Sequence, residues 1–177
     1  MKISFAELAL PKTGAVVLGV GTGNKLGASA RQLDKATDGA ITRALKVSKF
    51  EGKAKQLLEI VAPAGVPNSR ILLAGIGDKM SAGDQCDLGG RVSARLNQSG
   101  EEKATFIVDF GGRDQAGVAA EVGLGALLRS YSFTKYRTKK EENGKATLSA
   151  MTLSVKGSAA MALKPGFRLR TEGRCCS

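Results

Sequence analysis

Three short apolar runs constrain this chain more than any motif does. Gly14–Val20 (GAVVLGV), Arg70–Ile76 (RILLAGI) and Ala104–Phe110 (ATFIVDF) are continuous rather than alternating, the pattern of strands buried on both faces. Such strands need a covering element on each side, and the intervening segments have helical spacing. Leu33, Ala36, Ala40, Ile41, Ala44 and Leu45 recur at three- and four-residue intervals. They predict a helix over about Arg31–Lys46, with an interior Gly39 that costs ~1 kcal/mol against Ala. Ser81 and Asp84 have capping-box spacing for a helix to about Asn97. Asp114 can cap another to about Ser130, with Val118, Val122 and Leu128 expected on one side. Lys2–Leu8 and Leu148–Val155 alternate as half-buried strands do, and Leu57–Ala62 reads as a strand closed by Pro63, Gly65 and Pro67. The order β-β-α-β-β-α-β-α, then extended segments, predicts an α/β fold with three layers, a mixed sheet flanked by helices. Hairpin-like pairing of Leu57–Ala62 with Arg70–Ile76 argues against a purely doubly wound order.

A chain of 177 residues suits one domain of ordinary size with a short appendage. With 5% aromatics and no Trp, its core must be built from Val, Ile, Leu and Ala. The net charge of +11 attracts polyanions but says nothing about fold. Part of it is concentrated in Lys135–Lys145 and in Met161–Ser177. Nucleic-acid readers cluster cations with interleaved aromatics, and only Tyr131–Lys140, with Tyr131, Phe133 and Tyr136, resembles that. Cys86, Cys175 and Cys176 make no disulfide framework, which fits a reducing, cytoplasmic setting. The N-terminus has Glu7 and Pro11 where a signal peptide needs an unbroken apolar run. No stretch approaches ~18 consecutive apolar residues, so no membrane span is expected.

Motifs with chemical potential each have a plain structural alternative. The glycine loop Gly19–Asn24 follows a strand and is a candidate ligand loop through Gly21, Gly23 and Asn24. It lacks the third glycine of the dinucleotide fingerprint and the Lys of a P-loop. The alternative is a loop that merely closes the strand. Asp109-Phe110-Gly111 copies the metal-binding triplet of protein kinases without any other kinase element. The carboxylate pairs Asp84 with Asp87, Asp109 with Asp114 and Glu141 with Glu142 read as helix caps or solvated charges rather than acid–base partners. Cys86 reads as a small core residue. With no histidine, Ser-His and Cys-His nucleophiles and histidine-ligated metals are excluded. No catalytic residue emerges.

Four stretches together resemble the N-terminal domain of the cytosol (leucyl) aminopeptidases. They are Leu33–Ile41 with Ala44–Lys46, Phe50–Lys53, Arg70–Gly77, and Gly123–Gly125 through Tyr131–Phe133 to Tyr136–Lys139. They follow the family's order and spacing over about Ile3–Val155. The resemblance implies a macro-domain-like fold, with Glu121–Lys140 as its closing helix and exit strand. It also implies a parent enzyme that removes N-terminal amino acids from peptides with two divalent ions, zinc or manganese. The family's catalytic motifs, NTDAEGR among them, do not occur here, so no metal ligand or cofactor is expected in this chain. The implied partners are its own missing catalytic domain and a homo-hexamer. The expected division is a domain over 1–158 and an aberrant or truncated basic tail over 159–177, from a truncation or a shifted reading frame. Two alternatives are a macro-type module for ADP-ribose or another nucleotide, and a basic domain that binds nucleic acid.

Overall fold

The computed structural model describes residues 1–110, 114–130 and 147–156. Its strands are β1 (Lys2–Glu7), β2 (Ala15–Gly21), β3 (Lys25–Leu26), β4 (Leu57–Val61), β5 (Arg70–Gly77), β6 (Lys103–Val108) and β7 (Ala150–Val155). Its helices are α1 (Ala28–Ala36), α2 (Ala40–Val47), α3 (Ala82–Gln98) and α4 (Gln115–Ser130). The strands form one sheet in the order β1-β7-β6-β2-β5-β4, with β3 paired to β2. Every pairing is parallel except β4 with β5 and β3 with β2. The mixed sheet and the antiparallel β4–β5 pair agree with the sequence reading.

The continuous apolar runs become the centre of the sheet. Along β2, Ala15 and Val17 face a core made with Leu88, Val92, Val118 and Val122 of α3 and α4. Val16, Leu18 and Val20 face the opposite core, with Leu33 of α1 and Ile41 and Leu45 of α2. β5 and β6 divide in the same way. Leu72 and Phe106 turn to the α3/α4 side, while Leu73 and Ile107 turn to the α1/α2 side. These alternations make the three layers, because both faces of the central strands must be covered.

The single helix expected over Arg31–Lys46 is two. Gly39 takes φ +74° and separates α1 from α2. It leaves α2 without a side-chain N-cap, and Asp34 of α1 supplies one from eight residues back. Its Oδ1 accepts from the Thr42 amide at 3.0 Å, and its Oδ2 accepts from the Thr42 hydroxyl at 2.5 Å. Thr37 closes α1 by donating its hydroxyl to Leu33 O at 2.9 Å. The apolar period carries through the break and therefore hides it.

The Ser81–Asp84 capping box is present in full, and Asp114 Oδ1 accepts from the Gly117 amide at 3.0 Å. On α4, Val118 and Val122 are buried, but Leu128 is 59% exposed. Ala126 continues the buried line from Val122 at the helical interval, and Leu128 lies nearly half a turn round from it. Cys86 is half-buried rather than in the core. The exit strand expected within Glu121–Lys140, and the tail over 159–177, lie outside the described residues.

Helices α3 and α4 meet through glycines. A Cβ on Gly89 would overlap the Val122 carbonyl, and one on Gly125 would overlap the Cys86 carbonyl. A Cβ on Gly90, one position along, would meet nothing closer than 3.5 Å. Gly89→Ala is therefore expected to lose about 1–3 kcal/mol through forced separation of the helices. Gly90→Ala should be neutral or gain up to about 1 kcal/mol from helix propensity. Urea denaturation of the two variants checks this, and equal effects would contradict the packing.

Candidate functional site

In open α/β sheets ligands enter outside the carboxyl ends of the strands, where the chain leaves neighbouring strands for opposite layers. Here that point lies between β2 and β6. After β2 the chain passes to α1 and α2 on one face, and after β6 it passes to α4 on the other. The candidate residues Gly21, Gly23 and Asn24 stand at this end of the sheet.

Gly21 is the last residue of β2, and Thr22–Asn24 turn the chain into β3, with Gly21 opposite Lys25. Gly23 (φ +73°) and Asn24 (φ +60°) supply the left-handed backbone of that turn, which suits Gly and Asn. The Gly23 amide donates to Glu51 O at 2.9 Å. Asn24 Oδ1 is buried and has no hydrogen-bond partner among the described residues.

A second loop, Lys49–Gln56, lies across the ends of β2 and β5. Gln56 shapes it, its Oε1 accepting from the Glu51 amide at 2.9 Å and the Lys53 amide at 3.1 Å. The Gly77 amide donates to Gly52 O at 3.0 Å. A Cβ on Gly52 would overlap the Gly21 carbonyl, and one on Gly75 would overlap the Lys53 carbonyl. The stretch Phe50–Lys53 is thus a backbone-to-backbone seam, with Phe50 anchored in the α1/α2 core.

Asp109 and Phe110 follow β6 into the same region. Asp109 Oδ2 accepts from the Ser29 amide at 3.0 Å, in the first turn of α1. Phe110 lies against Gly19 of β2 and makes a tilted ring pair with Phe106, centroids 6.2 Å apart.

The carboxylate pairs do not converge. Asp84 accepts from the Ser81 hydroxyl at 2.7 Å and the Ser81 amide at 3.0 Å, bonds that hold its pKa below the ordinary value. Asp87 pairs with Arg91 at 2.7 Å. Asp109 serves α1 and Asp114 serves α4, while Glu141 and Glu142 lie outside the described residues. Among the described residues no group of three or more His, Cys, Asp or Glu is placed to hold a metal. The carboxylates among the described residues therefore do not form a two-ion centre, which needs several of them converging on ions ~3.5–4 Å apart.

One polar cluster escaped the sequence reading. Glu59 of β4 accepts from Arg70 Nη1, from Arg95 Nη2 at 2.6 Å and from the Ser99 hydroxyl at 3.1 Å. Arg70 Nε also reaches Glu101 at 2.5 Å. The partners come from three separate stretches, Glu59, Arg70 and Arg95–Glu101, so no local spacing announces them. The cluster sits at the amino end of β5, away from the crevice, and ties the β4–β5 pair to the end of α3. Burial alone would raise the Glu59 pKa, but hydrogen bonds from Arg70, Arg95 and Ser99 outweigh it and hold it below the usual value.

A carboxylate with a depressed folded pKa contributes stability above its unfolded pKa, and loses it as pH falls through the folded value. This contribution should thus be complete at neutral pH, begin to fall as pH drops below about 4.3 and be gone only below the lower folded value. Glu59→Gln is expected to cost about 1.5–3 kcal/mol at pH 7 and to flatten the acid limb. Thermal melts from pH 7 to pH 3 measure both, and an unchanged acid limb would contradict the assignment.

The layered mixed sheet and its crevice define a macro-domain-like protein, and comparison with known structures agrees. A Trypanosoma brucei macrodomain in complex with ADP-ribose superposes with TM-score 0.69 at 9% identity, over 90% of this chain and 66% of that one. A tomato leucine aminopeptidase mutant gives TM-score 0.73 at 19% identity, over 92% of this chain and 34% of that one. Residues 17–140 match the profile of the cytosol aminopeptidase family, N-terminal domain. A probable cytosol aminopeptidase of Chelativorans sp. is 38% identical over 145 residues, 80% of this chain and 28% of that protein. The chain belongs to the cytosol aminopeptidase family, as its N-terminal domain. It spans about a third of the length of the curated relatives it matches.

Proposed function

We propose that this chain is the non-catalytic N-terminal domain of a leucyl aminopeptidase and contributes to the enzyme's assembly. The observation that carries this is the family match over 17–140, in a chain where Asp34, Asp84, Asp109 and Asp114 serve helix starts and Glu59, Asp87 and Glu101 pair with arginines. Metal-dependent removal of N-terminal amino acids belongs to the remaining length of the relatives, as do the two divalent ions, zinc or manganese. Its partners in that reading are the catalytic domain and the other subunits of a homo-hexamer, in the cytoplasm. No described helix is long and apolar enough to cross a membrane.

The macro-type nucleotide module rests on likeness of fold, which does not by itself carry function. The nucleic-acid reading rests on Lys135–Lys145 and the basic tail, both outside the described residues. A DNA-binding constant insensitive to salt would remove phosphate contacts as its basis.

The direct test is hydrolysis of Leu-p-nitroanilide by the purified chain with added manganese or zinc. No turnover is expected. Turnover that follows the chain through successive purification steps would overturn the non-catalytic assignment.

A further inference from the structure

The triplet Asp109-Phe110-Gly111 has no kinase context, yet its first two residues occupy the place where a ligand of this fold would enter. Phe110 covers Gly19 so closely that a Cβ there would overlap the ring, with Ile76 Cγ2 at 3.3 Å from the same point. The Asp109 carboxylate lies at the start of α1, where backbone amides and the helix dipole favour an anion. It accepts from the Ser29 amide at 3.0 Å, and its Oδ2 would be 2.5 Å from a Cβ on Gly27. In the turn between β2 and β3 the Gly23 amide is already bonded to Glu51 O.

Two glycines are thereby explained without any appeal to backbone conformation. Gly19 is an interior strand residue, and Gly27 has an ordinary φ of −67°. Neither needs glycine for its dihedral angles. Both need it for the space that Phe110 and Asp109 take up.

We propose that Asp109 and Phe110 are an internal plug: the chain's own anion and ring fill the crevice between β2 and β6, so the domain takes no ADP-ribose there. An anion at a helix start and a flat ring over the strand ends are the two kinds of group a nucleotide would bring. Gly19 and Gly27, on either side of the Gly21–Asn24 turn, are then packing for the plug. This inference is independent of the hydrolytic test, so either can fail while the other stands.

The test joins a binding measurement to a double-mutant cycle on the full chain. Calorimetry with ADP-ribose at millimolar concentration is expected to show no saturable heat, and saturable binding to the unaltered chain would overturn the plug. Gly19→Ala should destabilise the protein because the new methyl strikes Phe110, and Phe110→Ala should relieve that clash. The double variant's unfolding equilibrium should then fall short of the product of the single effects by about tenfold. Independent, multiplying effects would overturn the proposal. If Gly19→Ala alone does not fold, recovery of a folded Gly19→Ala/Phe110→Ala protein is the expected result, and failure of both counts against it. A second cycle, Gly27→Ala with Asp109→Gly, reads the carboxylate half in the same way.

Discussion

Two-sided burial of β2, β5 and β6 is the constraint on which the rest of the structure depends. Ala15 to Leu18, Ile71 to Ala74 and Phe106 to Val108 are almost wholly withdrawn from solvent. Burying each large aliphatic side chain is worth about 1.5–3 kcal/mol, but only if both faces of the sheet are covered. Parallel neighbours cannot be joined by a tight turn, and the returns after β2, β5 and β6 pass through helices laid on one face or the other. α1 and α2 cover one side and α3 and α4 the other, which leaves a crevice where the connections after β2 and β6 diverge.

How closely neighbouring elements approach is set by glycine. Gly89 and Gly125 bring the backbones of α3 and α4 together, and Gly52 and Gly75 let the Lys49–Gln56 loop lie on the ends of β2 and β5. Gly19 and Gly27 make room for Phe110 and Asp109. With 23 glycines in the chain, a run such as Gly19–Asn24 invites a phosphate-cradling interpretation. Most of the close approaches instead join one part of the backbone to another.

The polar groups serve the same architecture. Asp34 caps a helix that Gly39 leaves uncapped, Asp84 and Asp114 open α3 and α4, and Asp109 opens α1. Glu59, Arg70, Arg95 and Glu101 tie strand and helix ends at the other side of the sheet.

The sequence by itself determined the layers, the mixed sheet, the antiparallel β4–β5 pair and the caps at Ser81 and Asp114, because apolar period and capping chemistry are local properties. Family resemblance could also be read from it, since Leu33–Ile41, Phe50–Lys53 and Arg70–Gly77 keep their order along the chain. Only the tertiary structure decided that β7, last in sequence, lies between β6 and β1. It also split the expected long helix at Gly39, gathered Glu59 with Arg70, and set Asp109 and Phe110 over Gly27 and Gly19. Each of these joins residues far apart in the chain or turns on local backbone conformation, and neither leaves a periodic trace in the order of amino acids.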